Sequence, residues 1–192
     1  MIGQVLVFLR DHLNATLSAA SDWVPGESRE DKVVFIDGEK MDPITFRLGA
    51  VSALLVNVEE DSLLRPADRY VALAPDGAAL RVQPEIRINL YVLFVARFKR
   101  YEQGLDCLSQ IIQHFQGNRT FDHHNAPDLD EGVEKLVLEL VTLPFAEQNE
   151  MWNALRTTYH PSVLYKVKMV VFRDQDPGRL AELRDKDLRL AQ

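Results

Sequence analysis

Residues 85–98 read EIRINLYVLFVARF, and this stretch decides the fold. Ile86, Ile88, Leu90, Val92, Phe94, Ala96 and Phe98 form an unbroken apolar set at every second position. The intervening set, Arg87, Asn89, Tyr91, Leu93, Val95 and Arg97, is polar only towards its ends. A period of two places successive side chains on opposite faces of a strand, so the spacing predicts one long strand whose middle is buried on both sides.

The flanking segments give that strand its company. Downstream, Tyr101, Leu105, Leu108, Ile111, Ile112 and Phe115 recur at helical spacing until Gly117-Asn118 stops the helix. Residues 118–132 read as a loop rich in Asp, Asn and His, Val133 to Leu143 as a strand closed by Pro144, and 145–157 as a short helix. Val163 to Phe172 reads as a second long strand, with Lys166 and Lys168 on one face. Upstream, Ile2, Val5, Leu6, Leu9, Leu13 and Leu17 make one face of an amphipathic helix. Strands are expected over 32–36 and 52–59, separated by polar, Pro/Gly-containing turns. Residues 62–84 hold three prolines and the turn Pro75-Asp76-Gly77, and read as a long exposed connection of the kind that serves contacts. The expected architecture is α+β: a mixed, mainly antiparallel sheet with helices packed on one face, spanning residues 1–173. About half of residues 174–192 are charged, with a weak leucine stripe, so this tail reads as a marginal helix that orders against a partner.

Composition bounds the partners. A chain of 192 residues with 46% hydrophobic and 27% charged residues suits one soluble domain that needs no disulfide or metal to hold it together. A formal net charge of −7 argues against nucleic acid as a partner, because phosphate binding needs clustered Lys and Arg. The one cysteine, Cys107, falls in the apolar pattern of the second helix and reads as a buried reduced thiol, in keeping with cytoplasmic synthesis. The apolar start, Met1 to Leu9, lacks a basic leader and is cut short by Arg10-Asp11-His12, so neither a signal peptide nor a membrane span is expected.

Signatures of catalysis are sparse. Asp122-His123-His124-Asn125 with Asp128, Asp130 and Glu131 holds ligand types, but adjacent histidines diverge and the spacing fits neither a zinc site nor an EF-hand. His160 and Ser162 lack a third group to orient them, and Glu59-Glu60-Asp61 reads as a solvated strand end. No nucleophile elbow, phosphate-cradling loop or dinucleotide fingerprint occurs, so no catalytic, metal or cofactor residue is assigned and the chain is read as a non-enzyme. Arg97, Lys99 and Arg100 form a small basic knot, read either as an ordinary exposed edge or as a docking patch for an acidic partner surface.

One resemblance covers nearly the whole chain. It is carried by INLYVLF (residues 88–94), Tyr101, Leu108 with IIQHFQ (111–116), Trp152, Leu155 and YHPSVLYKVKMV (159–170), with SALLVNVEE (52–60) and the opening helix in support. These residues in this order resemble the N-terminal domain family of the cap or tail-terminator protein of extracellular contractile injection systems, of the virulence-cassette and antifeeding-prophage type. The resemblance implies a phage tail-terminator-like fold and a structural role. It further implies a homo-oligomeric, hexameric ring on the end of the inner tube and last sheath layer that fixes particle length, with sheath and tube proteins as partners and release with the particle. The candidate contact residues are Arg65, Asp68 and Arg69 in the long connection, Arg97, Lys99 and Arg100 in the basic knot, and Arg179, Leu180 and Leu183 in the tail. The competing readings are a baseplate or spike adaptor of the same particle, a small metal-dependent enzyme or cargo using His123 and His124, and an assembly chaperone.

Overall fold

The computed structural model describes residues 1–20, 31–38, 44–61, 71–73, 79–81, 87–171 and 178–179. Its elements run α1 (Ile2–Ala20), β1 (Val33–Phe35), β2 (Ala50–Glu60), β3 (Val71–Leu73), β4 (Ala79–Arg81), β5 (Arg87–Arg97), α2 (Tyr101–Gly117), β6 (Thr120–Asp122), β7 (Val133–Val141), α3 (Phe145–Ala154), β8 (Ser162–Val171) and β9 (Gly178–Arg179). Six strands make the main sheet in the order β1-β2-β5-β8-β7-β6, and β5 is one of its two central strands, as the alternating pattern requires. Only β1 pairs parallel with its neighbour; the other pairings are antiparallel.

The register explains the double burial of β5. Phe94 lies opposite Ala53 of β2 and Val163 of β8, while Leu93 lies opposite Leu54 and Leu164 on the other face. On the first face Leu90, Val92, Phe94 and Ala96 join Leu136, Leu138, Tyr165 and Val167 in one core. That core is closed by Val5, Leu9, Leu13 and Leu17 of α1 and by Leu108, Ile111 and Phe115 of α2. Burial of such side chains contributes about 25 cal/mol per Å2 of apolar surface removed from water. Gly104 of α2 faces β5, where a Cβ would stand 3.4 Å from that of Ala96, in van der Waals contact. Gly49, at φ +85°, turns the chain into β2 and donates its N–H to the Arg97 carbonyl at 2.7 Å.

The edge strand β1 is clipped to α1 by a side chain. Asn14 donates Nδ2–H to the Val33 carbonyl at 2.9 Å and accepts the Val33 N–H on Oδ1 at 2.8 Å, as a strand neighbour would.

The structure departs from the sequence reading in four places. The two long helices share one face, but α3 lies on the other, where Trp152 packs with Phe46, Leu93, Val95 and Leu164 in a second, smaller core. The odd positions of β5 are apolar at 93 and 95, and that face needs its own cover. The 62–84 connection is not all loop: β3 and β4 form a hairpin, and β9 pairs antiparallel with β4 to complete a three-stranded sheet. Where a helix was expected in the tail, Gly178–Arg179 runs as a strand; the leucine stripe beyond it lies outside the described residues. Finally, the 118–132 segment opens with the short strand β6, because Phe121 is buried between α1 and α2.

Candidate functional site

Among the described residues, the basic knot and the Asp/His-rich loop are the sequence-predicted patches that can be placed. The basic knot divides into two parts. Arg97, half-buried, donates Nη1–H to the Phe46 carbonyl at 2.6 Å and so fastens the segment before β2 to the end of β5. Lys99 and Arg100 are exposed at the β5–α2 corner, and Arg100 reaches Glu102 only at 3.5 Å. The corner also exposes Tyr101 (66%) and Leu105 (40%), one turn apart on α2, and Leu48 (49%) in the turn that Gly49 ties to Arg97. Arg65, Asp68, Arg69, Leu180 and Leu183 lie outside the described residues, as does the side chain of Arg179, whose backbone belongs to β9.

Part of the Asp/His-rich loop shapes its own turn. Asp122 accepts the backbone N–H groups of His124 at 2.9 Å and Asn125 at 3.2 Å, which hold its carboxyl below the usual carboxylate range. His123 pairs through Nε2 with the Val133 carbonyl at 2.9 Å, and Asp130 accepts the Gly132 N–H. Among the described residues no group of three His, Cys, Asp or Glu side chains is placed to hold a metal ion. His160 pairs through Nδ1 with the Thr158 carbonyl at 2.7 Å and stacks on Trp152, so its ring serves the second core and not Ser162.

Two features were not visible along the sequence. On the second face of the sheet, beyond the cover of α3, charges from four strands interlock: Glu59 accepts from Tyr91 Oη at 2.8 Å and from Lys166 Nζ at 3.1 Å. Lys168 donates to Glu139 at 2.7 Å. Tyr91 chiefly, and Lys166 with it, depress the Glu59 carboxyl. Lys166 and Lys168 had a legible spacing, but their acidic partners sit 107 and 29 residues away. The second feature is a groove of about 840 Å3 along α1, lined among others by Val7, Phe8, Asp11, Asp128 and Asp130.

The sequence matches the family described as the Pvc16 N-terminal domain over residues 4–182, almost its entire length. The chain belongs to that family. Among solved structures it resembles the PVC sheath/tube terminator of an extracellular contractile injection system in the extended state, seen by cryo-EM. That likeness has a TM-score of 0.56 at 15% identity, over 100% of this chain and 64% of the other. It also resembles the tube-terminating cap of the anti-feeding prophage, with a TM-score of 0.47 at 17% identity over 71% of this chain and 48% of that one. The fold assignment rests on the first, so this Pvc16 N-terminal domain chain has the fold of a sheath/tube terminator and spans 64% of that protein's length. No curated protein matches it. No helix among its described residues is long and apolar enough to cross a membrane.

Proposed function

We propose that the chain is a structural cap, or tail terminator, of a contractile injection particle. In this reading it closes the end of the inner tube and the last sheath layer as a hexameric ring and thereby sets particle length. It is a protein of assembly and not an enzyme, made in the cytoplasm and released with the particle. The observation that carries the reading is the agreement of family membership over residues 4–182 with a terminator fold matched along the whole chain. Exposed apolar and charged side chains at the β5–α2 corner support it. A ring needs two different patches per subunit, each meeting the other on a neighbour.

Gold-labelled antibody against a short tag on this chain, imaged on purified particles, tests the position. Label at the end remote from the baseplate is expected. Label at the baseplate end would make the chain an adaptor, and label absent from finished particles would make it an assembly chaperone.

A further inference from the structure

The helix layer has a polarity. His12 of α1 lies against His114 of α2, while Leu17 and Cys107 line a common cleft, so the two helices run antiparallel. The groove beside Val7 and Phe8 therefore sits towards the end where α2 finishes, and the Lys99–Arg100 corner at the end where it begins.

These two places have opposite charge and share an apolar character. The groove is lined by Asp11, Asp128 and Asp130, against the N-terminal ammonium of Met1, which pairs with Gln4. Asp11 in the groove already pairs with Arg10 at 2.7 Å, so the loop supplies the excess acid. The corner carries Lys99 and Arg100 on exposed positions, with Glu102 3.5 Å from Arg100 and Asp106 in the cleft beside Gly49 and Phe98. Met1 (44%) and Val7 (41%) are exposed at the groove; Leu48, Tyr101 and Leu105 are exposed at the corner. Those five are most of the nine large apolar side chains exposed among the described residues. Clustered exposure of this kind marks contact surfaces, where scattered residues do not.

We infer that the acidic apolar groove of one copy receives the basic apolar corner of the next, giving a head-to-tail contact between copies of this chain. The inference rests on the ring reading above. Two different, mutually complementary patches at opposite ends of one layer are what a closed ring requires. Leu48, Tyr101 and Leu105 would enter the groove, while Lys99 and Arg100 meet Asp128 and Asp130 of its lining and set the register.

The test uses assembled particles. In a Cys107→Ser background, Asp128→Cys combined with Arg100→Cys is oxidised on the particle, and the products are separated without reductant. A ladder of linked copies up to the ring size, seen with the pair and with neither single cysteine, is expected. Rings present on tube ends with no ladder would overturn this contact and leave the ring reading intact. Tube ends bearing no ring of this chain would overturn both. As a second arm, Arg100→Glu should lower the fraction of capped ends by about tenfold, and Asp128→Lys in the same chain should restore it, since charge reversal on both sides re-forms the pair. Loss that the double reversal fails to repair would count against the pairing.

Discussion

The imidazoles of His12 on α1 and His114 on α2 lie 5.0 Å apart, centroid to centroid, inside an aromatic enclosure between the two helices. His12 stacks on Phe8 and meets the edge of Phe121, and the Nε2 of His114 is buried without a hydrogen-bond partner. Asn118 stands 3.5 Å from His114 Nδ1; Asp11, Asp128 and Asp130 line the groove that also touches His12. Burial lowers the pKa of both rings, and for His114 the proximity of His12 adds to it.

The pair makes the fold sensitive to mild acid. The unfolded chain takes up protons at the ordinary histidine pKa of about 6.5. The folded chain takes them up only at lower pH, so stability falls as pH drops through and below that value. The steepness of that fall is set by how far the two folded-state values lie below the unfolded one. Denaturant midpoints measured between pH 7.5 and 5.5 should fall with acid, and His12→Asn with His114→Gln should flatten the dependence. An unchanged slope in the double variant would contradict the assignment.

Asn14 substitutes for a strand neighbour at the outer edge of β1, with hydrogen bonds of 2.9 and 2.8 Å to Val33. Its replacement by Ala leaves a donor and an acceptor of the edge unmatched, at a cost of about 1–3 kcal/mol. Hydrogen exchange should show the Val33 amide deprotected first. Wild-type protection there would refute the clip.

Within the basic knot the structure separates a fastener, Arg97, from the exposed side chains of Lys99 and Arg100. Arg97→Ala removes the bond to the Phe46 carbonyl and should cost about 1–2 kcal/mol in thermal or chemical unfolding. Arg100→Ala should change stability by less than about 0.5 kcal/mol, because exposed pairs contribute little. The reverse order would mean that the corner is held together at Arg100.

The α3 face gives a similar contrast. Trp152 is 4% exposed and packs against Phe46, His160 and Tyr159, whereas Phe145 is 89% exposed. Trp152→Ala should destabilise by about 3–5 kcal/mol through the cavity it leaves. Phe145→Ser should stay within about 0.5 kcal/mol of wild type. Unfolding of Phe145→Ser would show that α3 is held differently.

What the sequence made legible follows from local physics. The apolar alternation of 86–98 specified a two-sided strand, and the helical spacing of Tyr101 to Phe115 specified α2 with its stop at Gly117. The opening helix was equally plain, because its stripe of Val5, Leu9, Leu13 and Leu17 is what the core demands. Trp152 was read as part of a helix, but not on which side of the sheet it packs, since that depends on the odd face of β5 and on Phe46 from a distant segment. The groove and the His12–His114 contact stayed hidden for the same reason: each joins residues far apart in the chain. The basic knot was visible as charge, yet its division between Arg97 and Arg100 required the position of one backbone carbonyl.

The most direct test of the central claim is electron microscopy of particles made by cells that carry all the other particle genes and lack this chain. Tubes of irregular or excessive length, or tubes that lose their sheath, are the predicted result, with normal length restored when the chain is supplied. Particles of normal length with intact sheath would contradict the terminator reading.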